Sequence, residues 1–432
     1  MAKIPELRQR IIFSILMIAV YRLGVHIPTP GVDANALAQF FSSQKGTIFE
    51  VFNLFSGGAL QRFSIFALGI MPYISASIIF QLLTVVFPYL ERLQKEGEQG
   101  RKRITQYSRY LTVVLACVQG VGIATFLQNQ GNINGVQLVI EPGIWFKIKT
   151  VITLASGTAF LMWLGEQITE RGIGNGSSLI IFAGIVAGFP AAVGNTVELV
   201  RANQLSPLGL VLLMALMVGV VYAIIFFEQA QRKVPVQYAN RMVGRKMYQG
   251  QSTSLPMKLN MSGVIPPIFA SSLLTFPTTI AAFSNLPWLQ RFTQQHFFFG
   301  GWLFNTVEVG LIIFFSYFYT AVQFNTEDIA DNMKKYGGFI PGIRPGKNTA
   351  DYLETVAERL TLVGALYLSV VCVLPVILQS KAGVSFYFGG TSLLIVVGVA
   401  LDTMAQIEAH LITHQYEGFL GPRASRLKGR RG

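Results

Sequence analysis

The chain has 432 residues, of which 52% are hydrophobic and only 13% are charged, and its mean hydropathy is +0.49. One water-soluble core cannot bury that much apolar surface, so the composition excludes a soluble globular protein and indicates a protein that uses lipid as its solvent. The net charge of +13 would also suit a nucleic-acid-binding protein, but the basic residues are segregated along the chain as membrane topology requires.

Ten apolar stretches follow one another, each near the ~20 residues that cross the hydrocarbon core as a helix. No ten-residue alternating pattern suggests a barrel, and lipid offers no partner to an open sheet edge, so we predict an all-α integral membrane protein. The stretches lie at about 11–27, 70–90, 109–128, 147–165, 178–198, 207–227, 262–283, 302–322, 360–379 and 391–410.

The second stretch is interrupted near its start. Three glycines bracket a short segment there: Gly57, Gly58 and Gly69. We expect this segment to form a re-entrant half-helix that does not span, because its Arg62 is costly in lipid but acceptable in an aqueous funnel. The true second span is predicted to begin near Pro72 and to end at Phe87 and Pro88.

Lys and Arg residues are concentrated in alternate segments between the spans. The odd segments, which include both ends of the chain, hold about 26 of the 34, whereas the even segments hold about 7. By the positive-inside rule both termini and the two long loops, 229–261 and 327–359, are cytoplasmic. A count of ten spans places every segment rich in Lys and Arg on the same side of the membrane.

The long loops and the tail 411–432 present basic surfaces. Loop 229–261 carries six Lys and Arg and no acid. Topology determination with attraction to anionic lipid explains such patches about as well as docking of a large polyanionic or acidic partner, so both interpretations stay open. The segment GGFIPGIRPGKNT presents Arg344 at a Gly/Pro-shaped loop tip, as a recognition element would.

The chain contains an internal repeat. GIMPYISASIIF from Gly69 aligns with GVIPPIFASSLL from Gly263, and the two share G-x-x-P-x-I-x-A-S at an offset of 194 residues. We therefore predict two five-span halves, 1–200 and 201–410. Because five is odd, the halves enter the membrane from opposite sides, related by a pseudo-two-fold axis in its plane. Matching interruptions in spans 2 and 7 favour a pathway between the halves.

Catalytic and metal-binding patterns are absent from the sequence. It has no HExxH motif and no nucleophile elbow. His410 and His414 have the spacing of metal ligands but no obvious third ligand nearby. GIGNG at 172–176 follows a helix rather than a strand, which argues against a phosphate-binding loop. We predict no enzymatic activity, no metal and no cofactor.

Few charged residues lie within the spans, and the candidates are Glu308, Asp402 and Arg22. An ion-coupled transporter built from inverted repeats would need such groups near the midplane, so their scarcity favours a channel. The repeat places Ile70 and Ile74 on span 2 and Ile268 on span 7. Branched aliphatic side chains at such a crossing would form a dry constriction, although ordinary helix packing explains the pattern equally well.

Five motifs carry a resemblance to a known family: SIFALGIMPYISASI around span 2, MWLGEQITERGIGNG from Met162, IIFAGIVAG from Ile180, FIPGIRPG from Phe339 and FYFGGTSLLIVV from Phe386. They resemble the SecY family of protein-conducting channels, and the resemblance covers essentially the whole chain. It implies a clamshell of two five-helix halves around an hourglass pore, with a short plug helix at 55–64, in the bacterial inner membrane.

The resemblance also implies roles for individual residues. The pore ring would be formed by six isoleucines: Ile70, Ile74, Ile181, Ile185, Ile268 and Ile395. The plug would comprise Phe55, Ser56, Gly57, Gly58, Ala59, Leu60, Gln61, Arg62, Phe63 and Ser64. The lateral gate would lie between spans 2 and 3 and spans 7 and 8, with Gln81 and Asn260 as polar contacts. Partner docking would use Arg241, Arg245, Lys246 and Arg344.

The same resemblance implies partners. These are the SecE and SecG membrane subunits, the SecA ATPase, the ribosome, anionic lipids, and the secretory and membrane-protein chains in transit; no small-molecule substrate is expected. The sequence has no nucleotide-binding motif, so a partner would supply the energy. One departure from the family is the pair Pro266 and Pro267, where span 7 often has a single proline.

Overall fold

A computed structural model describes the chain as mostly helical. The described residues are 5–33, 36–37, 53, 56–129, 132–133, 136–202, 206–238, 241–243, 246–248, 252–283, 288, 291–293, 297, 301–382 and 390–419. The helices are α1 Pro5–Gly24, α2 Met71–Val86, α3 Pro88–Lys95, α4 Glu98–Asn129, α5 Ile144–Arg171, α6 Gly176–Arg201, α7 Pro207–Gln229, α8 Ile265–Phe283, α9 Trp302–Gln323, α10 Thr326–Lys335, α11 Lys347–Ala382 and α12 Gly390–Phe419. The strands are β1 Asn132–Ile133, β2 Val136–Gln137, β3 Gln231–Tyr238, β4 Arg241–Val243, β5 Lys246–Tyr248, β6 Ser252–Lys258 and β7 Gly338–Phe339.

Seven helices in the described part of the chain are long and apolar enough to cross a membrane. An eighth crossing results if α2 and α3, which are bent by 100° relative to each other, form one span. Pro88 begins α3, and since proline lacks a backbone N–H and clashes with the preceding turn, α2 ends just before it. The predicted end of the second apolar helix at Phe87 and Pro88 is confirmed, and the chain is a multi-pass membrane protein.

The chain packs as two compact units. The first comprises Met1–Val193 and Ile395–Gly432. In it α1 packs on α5, α2 on α4, and α4 on α5. Arg109 Nε of α4 donates to Glu166 Oε1 of α5 at 2.8 Å, which adds a charge-assisted contact to that helix pair. Leu60 and Phe63 join the apolar core of this unit.

The second unit comprises Gly194–Leu394. In it α7 packs on α11, α8 on α9, and α9 on α11. Ser206 caps α7 by accepting a hydrogen bond from the Gly209 N–H at 3.0 Å, and Pro207 follows it in the first turn, where proline costs no helical hydrogen bond. Asn325 caps α10 in the same way.

The two long loops meet in one antiparallel sheet of order β6-β3-β7. Val234 and Val236 alternate with exposed residues along β3, so one face of the sheet is apolar. Val234 packs in a cluster with Ile340 and Leu353, which joins the sheet to α11. The all-α prediction was therefore wrong in the loops. The V-P-V alternation at 234–236 is the local signal of this strand.

The repeat is visible in the local structure of each unit. Gly69 has φ of 60° and Gly263 has φ of 61°, a left-handed conformation that favours glycine. Helices α2 and α8 each begin two residues further on, with Pro72 and Pro266 in their first turns, where proline is tolerated. The glycine and proline therefore mark the start of a helix and do not break a longer one.

Candidate functional site

The segment 56–64 of the first unit consists of turns, not of the short helix that was predicted. Left-handed φ values of 65° at Gly57, 84° at Gly58 and 45° at Phe63 are incompatible with a continuous right-handed helix. The Phe63 carbonyl accepts from the Thr29 N–H at 2.8 Å, and the Ile65 N–H donates to the Ile27 carbonyl at 3.0 Å. The segment is thus tied to the chain that follows α1. Phe55 lies outside the described residues.

Two side chains near the end of α1 hold the start of this segment. Tyr21 Oη donates to the Ser56 carbonyl at 3.0 Å, and Arg22 Nη1 donates to the Gly57 carbonyl at 3.0 Å. Tyr21 is buried and its ring stacks on Phe66, with centroids 6.1 Å apart. Arg22, flagged in the sequence as a charge within a span, therefore binds a backbone carbonyl of the turn segment.

A close glycine contact places the segment on α6. A Cβ at Gly57 would lie 2.7 Å from the Cα of Gly184, which is closer than side chains approach backbone. Gly184 precedes Ile185, one of the six isoleucines assigned to the pore ring. The turn segment therefore packs directly beside that part of α6.

The structure buries five of the six predicted ring residues. Ile70, Ile181, Ile185 and Ile395 lie in the first unit and are 2%, 1%, 0% and 0% exposed, and Ile268 lies in the second unit and is 6% exposed. Ile74 is half-buried. A Cβ at Gly165 of α5 would lie 3.6 Å from Ile70 Cδ1, so α5 backs this isoleucine. The ring as a whole stays a prediction.

The two predicted gate residues have different surroundings. Gln81 is half-buried and its Nε2 donates to Ser77 Oγ of its own helix at 3.5 Å. Asn260 is 3% exposed, and its Nδ2 donates to Glu228 Oε1 at 2.7 Å and to the Gly263 carbonyl at 3.0 Å. Asn260 therefore ties the entrance of α8 to α7. The gate role of both residues stays a prediction.

The predicted docking residues that the structure describes lie in the two long loops. Arg344 is exposed on a loop shaped by left-handed glycines at both ends, Gly337 and Gly346. Thr349 Oγ1 donates to the Arg344 carbonyl at 3.0 Å and fixes the backbone there. Arg241 and Lys246 begin the paired strands β4 and β5, and Arg245 lies outside the described residues.

The GIGNG segment is a structural junction whose bonds the sequence did not predict. Ser14 Oγ of α1 accepts from the Ile173 N–H at 3.0 Å, and Gln406 Oε1 of α12 accepts from the Gly174 N–H at 2.8 Å. Thr169 Oγ1 accepts from the Gly176 N–H at 2.9 Å. Because these three N–H groups donate to side chains of the protein itself, the segment does not present them to a phosphate. The junction orients α6, which carries Ile181 and Ile185.

Among the described residues, no group of three or more His, Cys, Asp or Glu side chains is placed to hold a metal ion. The first unit combines apolar helices, buried branched side chains and a turn segment. That segment is hydrogen-bonded to α1 and packs against α6 through Gly57. These features define a polytopic helical membrane protein with a segment of turns between α1 and α2 that packs on α6.

Comparison with known proteins narrows this class. A profile of the SecY family matches residues 64–404. The protein translocase subunit SecY of Escherichia coli (strain K12) is 53% identical over 431 residues, which cover 98% of this chain and 96% of that protein. The chain therefore belongs to the SecY family.

Two solved structures share the fold. One, described as the structure of a protein-conducting channel, has a TM-score of 0.66 and 14% identity over 96% of this chain and 94% of its own. The other is Sec61 in the canine ribosome-channel complex from the endoplasmic reticulum, with a TM-score of 0.62 and 13% identity over the same shares.

Proposed function

We propose that this chain is the central pore subunit of a protein-conducting channel. It passes unfolded secretory polypeptides across the membrane and releases hydrophobic segments sideways into lipid. The observation that carries the proposal, beside family membership, is the seating of the turn segment 56–64 on α6 next to Ile185. Such a segment, held by hydrogen bonds from Tyr21, Arg22 and Thr29 to its carbonyls and by glycine packing, can close a pore and still be displaced.

The proposal includes ten spans in two inverted halves. The seven long apolar helices and the bent pair α2–α3 account for eight spans, and α1 and α8 supply the other two. The matching glycine φ values support the repeat. The packing order supports it further, because contacts of α1 with α5, α2 with α4 and α4 with α5 correspond to contacts of α7 with α11, α8 with α9 and α9 with α11.

The six isoleucines seal the pore in this mechanism. A translocating chain needs aqueous funnels, because its backbone polar groups find no partners in lipid. An aliphatic collar closes around a peptide of any sequence, since apolar contact is non-directional. It also resists ions by dewetting and offers a passing charge no binding site.

Lateral release is a partition between the pore and lipid. Leu, Ile, Phe and Val at a helix centre each favour the membrane by about 0.3 to 0.6 kcal/mol, whereas Asp, Lys or Arg costs about 2.5 to 3.5 kcal/mol. A passing segment of ~20 apolar residues therefore enters lipid through a gate between spans 2 and 3 and spans 7 and 8, and roughly two or three central charges keep it out. Gln81 and Asn260 are the proposed polar gate contacts.

The basic loops dock the partners that drive transport. SecA or a translating ribosome supplies the energy, and SecE and SecG complete the membrane complex. The basic loops and both termini lie at the cytoplasmic face of the inner membrane. Anionic lipid also attracts the basic loops there. Arg344 is the recognition tip. Charge reversal in R344E is expected to lower SecA-driven translocation into vesicles by about 10-fold or more, as loss of a central interface arginine does. Membrane insertion of the channel itself should be normal.

The matched control for R344E is K335E, which makes the same charge change at the exposed end of α10, within the same segment 327–359. Equal losses in both variants would show that overall charge, and not recognition by Arg344, matters.

The class of the protein is tested by crosslinking with a stalled secretory chain. Cysteines at Gln81 of α2 and at Ile268 of α8 should both form crosslinks to a stalled chain that carries cysteines in its translocating part. Cysteines at the exposed Val113 of α4 and Val211 of α7 are the controls. A chain that crosslinks only to the control positions, or saturable uptake of a small solute in place of translocation, would refute the channel.

A further inference from the structure

The α5–α6 turn, residues 172–176, is a point where three helices of the first unit bind one stretch of backbone. Ser14 of α1, Thr169 of α5 and Gln406 of α12 each accept a hydrogen bond from an N–H of this turn. The bond from the Gly174 N–H to Gln406 Oε1 is 2.8 Å long and joins residues 232 positions apart. Gly174 is buried, and a buried N–H requires an acceptor, which α12 supplies here.

One face of α12 leads from the α5–α6 turn to a predicted ring residue. Four residues of α12 follow one another at intervals of four, four and three: Ile395, Val399, Thr403 and Gln406. Such spacing places them along one side of the helix. Ile395 is 0% and Val399 is 4% exposed, so this side is buried at its upper end. A Cβ at Gly174 would lie 3.3 Å from Thr403 Oγ1, so the turn touches the same side one step before Gln406.

The α5–α6 turn also fixes the start of α6 against α5. A Cβ at Gly176 would overlap the Gly165 carbonyl oxygen of α5, so only glycine allows the two backbones to approach this closely. Beyond this contact α6 carries Ile181 and Ile185, which are 1% and 0% exposed. The turn therefore contacts both helices that carry ring residues in the first unit.

The Gln406–Gly174 bond lies at matching distances along the chain from two ring residues. Ile185 follows Gly174 by 11 residues, and Ile395 precedes Gln406 by 11 residues. At about 1.5 Å per helical residue, each isoleucine is roughly 14 to 17 Å along its helix from the bond. That is about half of the ~30 Å hydrocarbon core. A tie at this position sets Ile185 and Ile395 at the same depth.

We propose that Gln406 is a positioning residue of the pore seal. Its bond to Gly174 fixes the height and rotation of α12 relative to α6, and so keeps Ile395 level with Ile185. When the bond is lost, α12 can slide along the turn and Ile395 leaves the collar, which then admits water and ions. The proposal rests on the proposed channel function, and it assigns part of the sealing to a residue outside the ring.

The test measures the opening frequency of the full chain in planar bilayers. Gln406→Met keeps the length of the side chain but removes the acceptor. Because Gln406 is exposed and water replaces it in part, openings should become about five-fold more frequent, the effect of one neutral hydrogen bond. Q406E should open within about two-fold of the parent, since its carboxylate accepts from the same N–H. The matched control is Q323M, the same change at the exposed end of α9, which should behave as the parent.

A second measurement separates positioning from a loss of overall stability. In a background with alanine at Cys117 and Cys372, a membrane-impermeant thiol reagent labels the variant Ile395→Cys. A second protein carries Ile312→Cys, at a position of α9 that is 0% exposed. Adding Q406M should speed the labelling at position 395 about five-fold, in proportion to the openings, and leave the labelling at position 312 unchanged.

Equal opening frequencies in Q406M and Q323M would overturn the proposal. So would a Q406E variant that opens as often as Q406M, because the acceptor would then not matter, or equal acceleration of labelling at positions 395 and 312. Replacing the ring isoleucines by glycine tells this failure from failure of the channel. If the glycine variant leaks and Q406M does not, the positioning role alone is refuted; if the glycine variant stays closed, the channel function is refuted.

Discussion

The chain enters its two repeated helices differently. Before α2, the segment 56–64 is held by hydrogen bonds from Tyr21 and Arg22 to two backbone carbonyls, and by Gly57 against α6. Before α8, the buried Asn260 side chain bonds to Glu228 of α7 and to the Gly263 carbonyl. The two helices start alike, with matching glycine φ values. The segments before them are held by different contacts, namely hydrogen bonds to backbone carbonyls before α2 and a buried side-chain network before α8.

This difference indicates which of the two segments, the entrance of α2 (56–64) or the entrance of α8 (around Asn260), can move more easily. Arg22 is only half-buried, so its bond to the Gly57 carbonyl can be exchanged for water at small cost, whereas the Tyr21 bond to Ser56 is buried. Asn260 instead lies in a buried network, where losing its partners leaves polar groups unsatisfied. We infer that the entrance of α2 is the movable one and that the entrance of α8 is a fixed anchor.

The largest expected effect is on the anchor. Asn260→Ala removes the donor to Glu228 and to Gly263 and should lower the free energy of unfolding by roughly 3 kcal/mol. Thermal melting in detergent measures this. The control is Asn325→Ala, which removes an exposed helix cap and should cost about 1 kcal/mol. If N260A melts no lower than N325A, the second entrance is not an anchor.

A smaller effect is expected from crowding the movable entrance. Gly57→Val places a side chain against Gly184 and adds backbone strain at φ of 65°. Overpacking costs about 1 to 3 kcal/mol beyond that strain, so the turn segment should leave α6 and ion leak through reconstituted vesicles should rise about 10-fold.

Gly58→Val is its control, because Gly58 has φ of 84° but nothing within 4 Å of an added Cβ. It carries similar strain without the clash and should leak less than G57V. Equal leak in the two variants would mean that contact with α6 does not hold the segment.

The smallest effect is expected from removing one hydrogen bond. Tyr21→Phe keeps the ring that stacks on Phe66 and deletes only the donor to Ser56, at a cost of about 1 kcal/mol. Brief channel openings in planar bilayers should become about five-fold more frequent. The control Tyr222→Phe, at an exposed tyrosine of α7, should leave the opening frequency unchanged. Equal opening frequencies in the two variants would show that Tyr21 does not hold the turn segment in place.

The sequence predicted those parts of the fold that depend on local pattern. Apolar length predicted the long helices, seven of which the structure shows to be long and apolar enough to span, and the predicted helix start near Pro72 is confirmed. At Gly263 the repeat predicted an interrupted span, whereas the structure has a helix start there. The reading of the glycines as the bounds of a half-helix failed. Left-handed residues at Gly57, Gly58 and Phe63 build turns there, and propensity does not reveal such a conformation in a phenylalanine.

Contacts between residues distant in sequence could not be predicted. The bonds from Ser14 and Gln406 to the GIGNG backbone join residues 159 and 232 positions apart. The pairing of β3 with β7 likewise joins two loops that are about 100 residues apart in the sequence. Such pairings depend on how the helices pack against one another, and local patterns in a single sequence do not reveal that packing. The identity of Asn260 as an anchor was missed for the same reason.

The central claim, a pore sealed by branched aliphatic side chains, is tested most directly by ion conductance across planar bilayers. In the test variant glycine replaces all six ring residues: Ile70, Ile74, Ile181, Ile185, Ile268 and Ile395. In the control glycine replaces six exposed isoleucines: Ile12, Ile15, Ile27, Ile140, Ile148 and Ile152. A pore sealed by these isoleucines should pass a steady ion current in the ring variant and stay closed in the control. Unchanged conductance in the ring variant, or equal currents in both, would contradict it.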